Sequence, residues 1–305
     1  MPGTTLYVYG APFSGKTHIK YELLLNLSEF YGWKHAIFDP ETGNSEDIIQ
    51  LLTEMKVRKD FHGENRMSEH ERLMAEEWLN DHFYIVEPGI EGLSLKGFYK
   101  EVQSIEQDLR IQIQTTSIDP WDDIEHDYSE FEERDDRYLT SALKYIRRNA
   151  KESGRYNIVI THVKDQQPIT KDGQRYYPPP TPREIALGQS WFRKGMAMVG
   201  IWKPPVGLLD DNGQPYEWNE IHLIPHKQKP KGVAIDGPKP AQGVLYWDPV
   251  SKRYYEKDAL GSERFATAYT DPIYHDPATG EFNNTPPIES DRKFWEGKTE
   301  EDGTE

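Results

Sequence analysis

Residues Gly10-Ala11-Pro12-Phe13-Ser14-Gly15-Lys16-Thr17 follow the pattern G-x-x-x-x-G-K-[ST], and no other stretch restricts the fold as tightly. The pattern works only between a buried strand and a helix, and both flanks are present. Leu6-Tyr7-Val8-Tyr9 is an apolar run, and residues 18–30 read as a helix with Ile19, Leu23, Leu27 and Phe30 on one face. A strand, a glycine-containing loop and a helix in that order aim backbone N–H groups and a helix N-terminus at one point. That point attracts polyphosphate. Gly10, Ser14, Gly15 and His18 belong to the expected cradle, Lys16 reaches the β- and γ-phosphates of a nucleotide such as ATP, and the Thr17 hydroxyl holds Mg²⁺.

Apolar runs recur downstream with helical stretches between them: Ala36-Ile37-Phe38, Phe83-Tyr84-Ile85-Val86, residues 111–118, Asn157-Ile158-Val159-Ile160, and residues 197–202, 220–224 and 243–247. Helices are marked by residues 67–79 and by Leu139, Ala142, Leu143 and Ile146. This alternation predicts an α/β fold: a mostly parallel sheet flanked by helices, with ligands outside the carboxyl ends of its strands. Residues 1–260 form the expected core. Residues 261–305, rich in Pro, Gly, Asn and acidic residues, read as an extended, largely disordered acidic tail. Tyr246-Trp247-Asp248-Pro249 and Tyr274-His275-Asp276-Pro277 echo one another and predict two C-terminal β-hairpins. Residues 164–182, with Pro168, Gly173, Pro178-Pro179-Pro180 and several cations and tyrosines, predict a long exposed loop.

The chain has 305 residues, a net charge of −16 and no cysteine. Disulfides, thiolate metal sites and a thiol nucleophile are excluded. The acidity excludes a basic coat for nucleic acid, so any such contact is local. The first strand starts at once, which leaves no room for a signal peptide, and no apolar run is long enough to span a membrane, so a soluble protein is expected.

Three further residues stand where chemistry on a triphosphate needs them. Asp119 closes the 111–118 stretch in Ile118-Asp119-Pro120-Trp121, the place of an acid that holds the water shell of Mg²⁺. Glu41 lies just past the second strand in Phe38-Asp39-Pro40-Glu41, where a carboxylate can orient and deprotonate an attacking water, and Asp39 competes for that role. His162 ends the strand around residues 157–161 and can relay the state of a γ-phosphate to the loop that follows.

Together these motifs resemble the RecA-like ATPase domain of DnaB/Twinkle-type replicative helicases, in the phage-like version. The most specific stretch is Ile118-Asp119-Pro120-Trp121-Asp122-Asp123-Ile124-Glu125-His126, followed by Val159-Ile160-Thr161-His162-Val163-Lys164. Then come Tyr177-Pro178-Pro179-Pro180-Thr181-Pro182 and Gly188-Gln189-Ser190-Trp191-Phe192-Arg193-Lys194. The likeness implies a P-loop NTPase that binds Mg-ATP at Lys16 and Thr17, activates water with Glu41 and senses the γ-phosphate with His162. It further implies single-stranded DNA held by Lys164, Lys171, Arg175, Arg193 and Lys194. Assembly into a hexameric ring or a filament is also implied, in the cytoplasm of a bacterial or phage-infected cell.

Family members also insert a Lys-x-Arg pair into the neighbouring subunit's ATP site. Here Lys227 takes the first place and Lys229 stands where the arginine belongs, with Lys231 a competitor. Lysine lacks the planar guanidinium fork, so charge stabilisation across the interface is expected to be weaker. Measured against the family pattern, neither an amino-terminal domain nor a linker helix is expected ahead of the first strand. The expected function is an ATP-dependent DNA helicase core working in replication. The alternatives are a recombination or strand-annealing ATPase, or a nucleotide-binding replication accessory module docking partners through the acidic tail.

Overall fold

The computed structural model describes residues 3–90, 92–164, 166–171, 173–229, 243–257 and 261–265, together with 274–275 and 282–283. In chain order the elements are β1 (Thr4–Gly10), α1 (Lys16–Tyr31), β2 (His35–Phe38), α2 (Ser45–Val57), α3 (Glu69–His82), β3 (Phe83–Ile85), α4 (Leu95–Leu109) and β4 (Thr115–Ile118). There follow α5 (Asp135–Ser153), β5 (Tyr156–His162), β6 (Ile169–Lys171), β7 (Gln174–Tyr176), α6 (Gly188–Lys194), β8 (Ala197–Trp202) and β9 (Glu220–Lys227). The last strands are β10 (Gly243–Asp248), β11 (Arg253–Lys257), β12 (Glu263–Phe265), β13 (Tyr274–His275) and β14 (Phe282–Asn283).

A ten-stranded sheet runs in the order β12-β11-β10-β9-β8-β1-β5-β4-β2-β3. From β3 to β8 every pairing is parallel, and from β8 to β12 every pairing is antiparallel. Parallel strands buried on both faces need apolar side chains above and below. Val8, Ile158 and Ile160 pack with Tyr21, Leu24 and Leu25 of α1 on one face. Tyr7, Tyr9 and Val159 pack with Phe98, Leu143 and Trp191 on the other. The parallel strands β1 and β5 end level at Gly10 and His162, and β2 and β4 end at Phe38 and Ile118, three residues short of that row, so the chain leaving β2 and β4 completes the carboxyl side.

Several elements depart from the sequence reading. Helix α1 buries Lys20, Tyr21, Leu24, Leu25 and Ser28, while Ile19, Leu23, Leu27 and Phe30 are only half-buried. The buried stripe sits one position along because a lysine and a tyrosine on it have partners inside. Strand β4 covers only residues 115–118. Ahead of it the Gln114 and Thr115 amides both donate to Lys34 O, and the Ile113 amide donates to the Glu106 side chain. Of its polar side chains, Thr116 is satisfied through Oγ1, which donates to Asn157 Oδ1 of β5 at 2.7 Å.

Part of the expected 164–182 loop is a hairpin, β6–β7. Both predicted C-terminal hairpins are present, as β10–β11 and β13–β14. Strand β12 extends the core sheet to Phe265, past the expected boundary at residue 260. Apart from residues 261–265, 274–275 and 282–283, the expected tail lies outside the described residues.

Candidate nucleotide-binding site

The loop from Gly10 to Thr17 joins β1 to α1 at the carboxyl rim, and two glycines make its path possible. A Cβ on Gly10 would stand 2.5 Å from Ile201 O and 2.8 Å from Ser14 Oγ. Gly15 caps α1 at φ 88°, where a Cβ would meet Ile221 Cδ1 at 2.8 Å. Helix α1 therefore begins at Lys16 with its first amide groups turned toward the loop. The loop borders a cleft of about 300 Å³ lined by Phe13, Lys16, Thr17, His18, Glu41 and His162. Ser14 is also on its wall, and its buried Oγ has no hydrogen-bond partner among the described residues. Lys16 is buried and donates from Nζ to Ala11 O at 2.9 Å and Gly10 O at 3.3 Å. Burial pushes its pKa down, and the charges of Asp119 and Glu41 pull it part of the way back.

Asp39 and Glu41 differ in burial and in partners. Asp39 is 2% exposed, and its carboxylate accepts from Lys20 Nζ at 2.5 Å, Tyr21 Oη at 2.5 Å, Thr42 Oγ1 at 2.8 Å and the Thr42 amide at 3.0 Å. Burial favours its protonation, but Lys20 and these donors outweigh that and hold its pKa below the ordinary value. Three of these donors converge on Oδ2 and the Thr42 amide holds Oδ1, so this buried carboxylate is tied into the fold. Glu41 is half open to solvent, with Oε2 at 3.5 Å from His162 Nε2 across the cleft.

Asp119 is fully buried. Its Oδ2 accepts from Lys20 Nζ at 2.8 Å, while Oδ1 has no hydrogen-bond partner among the described residues. Leaving such an oxygen bare in the interior is costly, so a donor or cation arriving there is favoured. Among the described residues no three acidic or imidazole groups come together as a metal cage. That suits Mg²⁺, which is held by one or two protein oxygens and substrate phosphates rather than by an all-protein shell. Thr17 and Asp119 Oδ1 fit that demand.

Sequence reasoning missed four contributors. Lys20, one turn beyond Lys16, joins Asp39 to Asp119, and only its fixed spacing from the loop signalled it. Asp123 follows in the turn after Asp119. Its pKa is raised by burial and then by Glu41 and Asp122, which puts another carboxylate near the cleft. From the antiparallel half, Trp247 packs edge-on against His18 with centroids 5.0 Å apart, and the Tyr254 hydroxyl lies 3.1 Å from the position a Gly15 Cβ would take. Their partners are more than two hundred residues away in the chain, beyond the reach of any local pattern.

The cationic residues divide into two groups. Lys171 and Arg175 sit on the β6–β7 hairpin, where Lys171 Nζ donates to Leu209 O, and Lys164 pairs with Asp122 Oδ1 at 3.2 Å. Arg193 and Lys194 end α6, just ahead of the start of β8. Lys227 stands opposite Met198, which stands opposite Tyr7, whereas Gly10 stands opposite Ile201. Three residues of strand separate the two rows, about 10 Å at the usual rise. Lys227 and Lys229 thus lie toward the opposite edge of the sheet from their own phosphate loop. Lys227 donates to Phe192 O there, with Nζ 5.0 Å from that ring's centroid. Lys231 lies outside the described residues.

Comparison with known proteins agrees with this architecture. The chain is 28% identical over 173 residues to the Twinkle homolog protein, chloroplastic/mitochondrial, of Arabidopsis thaliana; the match takes in 55% of this chain and 24% of that relative. The ATPase domain of G40P superposes with a TM-score of 0.62 at 14% identity, over 85% of this chain and 86% of the other. A DnaB-like replicative helicase, solved to show its interactions with primase, also gives 0.62 at 14% identity, over 84% and 59%. No protein-family profile matches the chain. The fold is that of RecA-like ATPase domains. With the ordered motifs and the Twinkle match, the chain is similar to domains of the DnaB/Twinkle type, and it spans about a quarter of the curated relative it matches.

Proposed function

We propose that this domain is the ATP-hydrolysing motor core of a DNA helicase, coupling turnover to movement along or unwinding of single-stranded DNA in replication. The observation that carries the reading is the pairing of Glu41 with His162 over a cleft edged by Lys16 and Thr17, while Asp39 is withdrawn into an ionic contact. Lys16 binds the β- and γ-phosphates. Glu41 orients the attacking water and takes its proton, and His162 holds Glu41 and passes the loss of the γ-phosphate to the segment beginning at Lys164. A bound Mg²⁺ would supply positive charge to the phosphates. Thr17 and Asp119 would hold it.

Lys227 and Lys229 act on a neighbouring copy, because in their own subunit they sit toward the far edge of the sheet. An interface joining the carboxyl rim of one sheet to the opposite edge of the next is heterologous, and it closes into a ring or continues as a filament. ATP turnover with and without (dT)₁₆, together with mass in solution when ATP is present, tests the proposal. Stimulation by the strand and an ATP-dependent rise in mass are expected. Hydrolysis indifferent to the strand would remove the helicase reading and leave a plain ATPase.

A further inference from the structure

Tyr9 stands one residue ahead of Gly10, where the phosphate loop begins. It is fully buried on a central parallel strand, a place where aliphatic side chains meet the packing demand. A buried tyrosine hydroxyl needs a partner, and this one finds it two strands away. Tyr9 Oη lies 2.5 Å from His226 Nδ1 of β9, with the ring centroids 5.8 Å apart. Strand β8 runs between them, and its residue level with Tyr9 is Gly200. A Cβ there would stand 3.4 Å from His226 Cε1 and 3.2 Å from both Cγ and O of Pro180, so a larger side chain would close the passage in which the two rings meet. Burial, followed by the charge of Glu184, raises the pKa of Tyr9, and burial lowers that of His226, so both are uncharged at neutral pH.

His226 is also the odd residue of its strand. Val199 stands opposite Pro225, but the next residue of β8, Met198, stands opposite Lys227. His226 is therefore the extra residue of a β-bulge. In a regular ladder His226 would stand opposite Met198, and Lys227 would turn to the other face of the sheet. The bulge instead keeps Lys227 in the row of Met198 and Tyr7, on the face where its Nζ reaches Phe192 O of α6. Among the described residues β10 pairs with β9 only from Glu220 to Leu223, so the stretch holding His226 and Lys227 has a ladder on one side alone. Pro225 offers no amide to that ladder. A stretch held this loosely slips between registers unless a side chain pins it.

We propose that Tyr9 and His226 are positioning residues: their contact pins the bulge in β9 and so sets the face on which Lys227, and Lys229 after it, is presented. This role rests on the action of Lys227 and Lys229 on a neighbouring copy proposed for this domain. It adds a physical link from the strand that enters one phosphate loop to the cations offered to the next.

The chain has no cysteine, so a disulfide between two introduced ones reads the register directly. Opposed side chains on one face have Cβ atoms about 4.5–5.5 Å apart, whereas a residue slipped to the other face points away and cannot be bridged. The whole chain carrying Met198→Cys and Lys227→Cys should therefore close a disulfide on oxidation, followed by mass spectrometry. Adding Tyr9→Phe, which keeps the ring and removes the hydroxyl, should slow closure by roughly 2- to 13-fold, the effect of one lost hydrogen bond on a choice between two registers. Deleting His226 in that background removes the extra residue, returns position 227 to its place opposite Met198 and should restore the rate.

In chains that keep Met198 and Lys227, Tyr9→Phe should lower kcat for ATP by a similar factor with KM unchanged, and deletion of His226 should recover it. A tyrosine needed only for packing gives no such recovery, and thermal unfolding of each variant reports the folded fraction. An unchanged closure rate in Tyr9→Phe, or no recovery on deletion, overturns the inference and leaves the action of Lys227 on its neighbour standing. Slower closure with kcat unchanged overturns it as well. Lys227→Ala turning over ATP as fast as the unaltered chain overturns both.

Discussion

Helix α1 carries two buried ionic clusters, and only one of them belongs to the candidate site. Toward the rim, Lys20 joins Asp39 and Asp119 at 2.5 and 2.8 Å. On the flank facing β11, Arg253 is 0% exposed and grips Glu22 in a fork at 2.8 and 2.9 Å, with Asn26 at 2.8 Å, while Lys56 pairs with Glu29 at 3.1 Å. Burial pushes Glu29 toward protonation, but Lys56 and Arg253 prevail and keep its pKa below the ordinary value. Each cluster leaves one carboxylate oxygen bare, Asp119 Oδ1 in the first and Glu29 Oε2 in the second. An open buried acceptor is therefore no mark of a site by itself. Asp119 differs because it closes a parallel strand beside Lys16, whereas Glu29 lies near the far end of the helix.

Breaking each cluster tests that distinction most strongly. Removing one partner of a buried pair costs about 3–5 kcal/mol, because the other charge is stranded. Lys20→Met and Arg253→Met should each fall in that range by urea unfolding. Their turnover should separate them. Lys20→Met frees Asp39 and Asp119 from their common cation, so hydrolysis per folded molecule collapses. Arg253→Met detaches β11 from α1 and should leave turnover per folded molecule near the unaltered value. Equal turnover in the two variants would erase the contrast.

The two carboxylates near the end of β2 sharpen it further. Glu41→Gln removes the open acid and should lower turnover by roughly 10²- to 10⁴-fold, the usual contribution of a general base, with nucleotide binding retained. Asp39→Asn removes a satisfied charge, so its main effect should appear in unfolding. A larger turnover loss in Asp39→Asn than in Glu41→Gln, after correction for folded fraction, would reverse the assignment.

How much of this was legible beforehand depended on the range of the interaction. Gly10 to Thr17, the parallel order around β1 and the acid closing β4 follow from local patterns, because a strand–loop–helix unit is built from neighbours in sequence. The choice between Asp39 and Glu41 was not legible. It depends on Lys20 and Tyr21 pointing inward, and helical periodicity assigned the buried stripe to Ile19, Leu23, Leu27 and Phe30 instead. A lysine on a helix reads as a solvated position until its two carboxylates are in view. The antiparallel half was visible as strands and hairpins, but its contact with the loop through Trp247 and Tyr254 was not.

Acid tests a third buried charge site, at the opposite end of β2. His35 is 0% exposed, its Nε2 lies 2.8 Å from Ser28 Oγ, and its ring lies 5.0 Å from that of Phe83. Burial, helped by His82, lowers its pKa from 6.5 to about 3. The folded state holds the neutral ring, so stability from this group is complete above pH 6.5 and declines as pH falls toward 3. The slope is about 1.4 kcal/mol per pH unit. Urea unfolding at pH 7.5, 6.5 and 5.5 should show the decline, and His35→Gln should lessen it relative to the unaltered chain. Half-buried imidazoles, His82 and His226 among them, are shifted the same way and leave a residual slope. An identical slope in both proteins would show that His35 titrates normally.

The smallest effect is expected where the Glu41 turn enters α2. Asn44 is the N-cap: its Oδ1 accepts from the Asp47 amide at 3.0 Å, and Asp47 Oδ2 accepts from the Asn44 amide at 3.0 Å. This reciprocal box satisfies two donors that a helix start leaves bare. Asn44→Ala removes one of them and should cost about 1 kcal/mol of stability. Glu41 is three residues upstream and its own contact, with His162, is made on the other side of the cleft. If the cap only anchors α2, turnover stays near the unaltered value while the unfolding midpoint drops. If the box also sets the position of Glu41, turnover falls with substrate affinity unchanged, and replacement by Asp, which caps equally well, restores it. The second result would extend the catalytic rim from the strand tips into the helix that follows them.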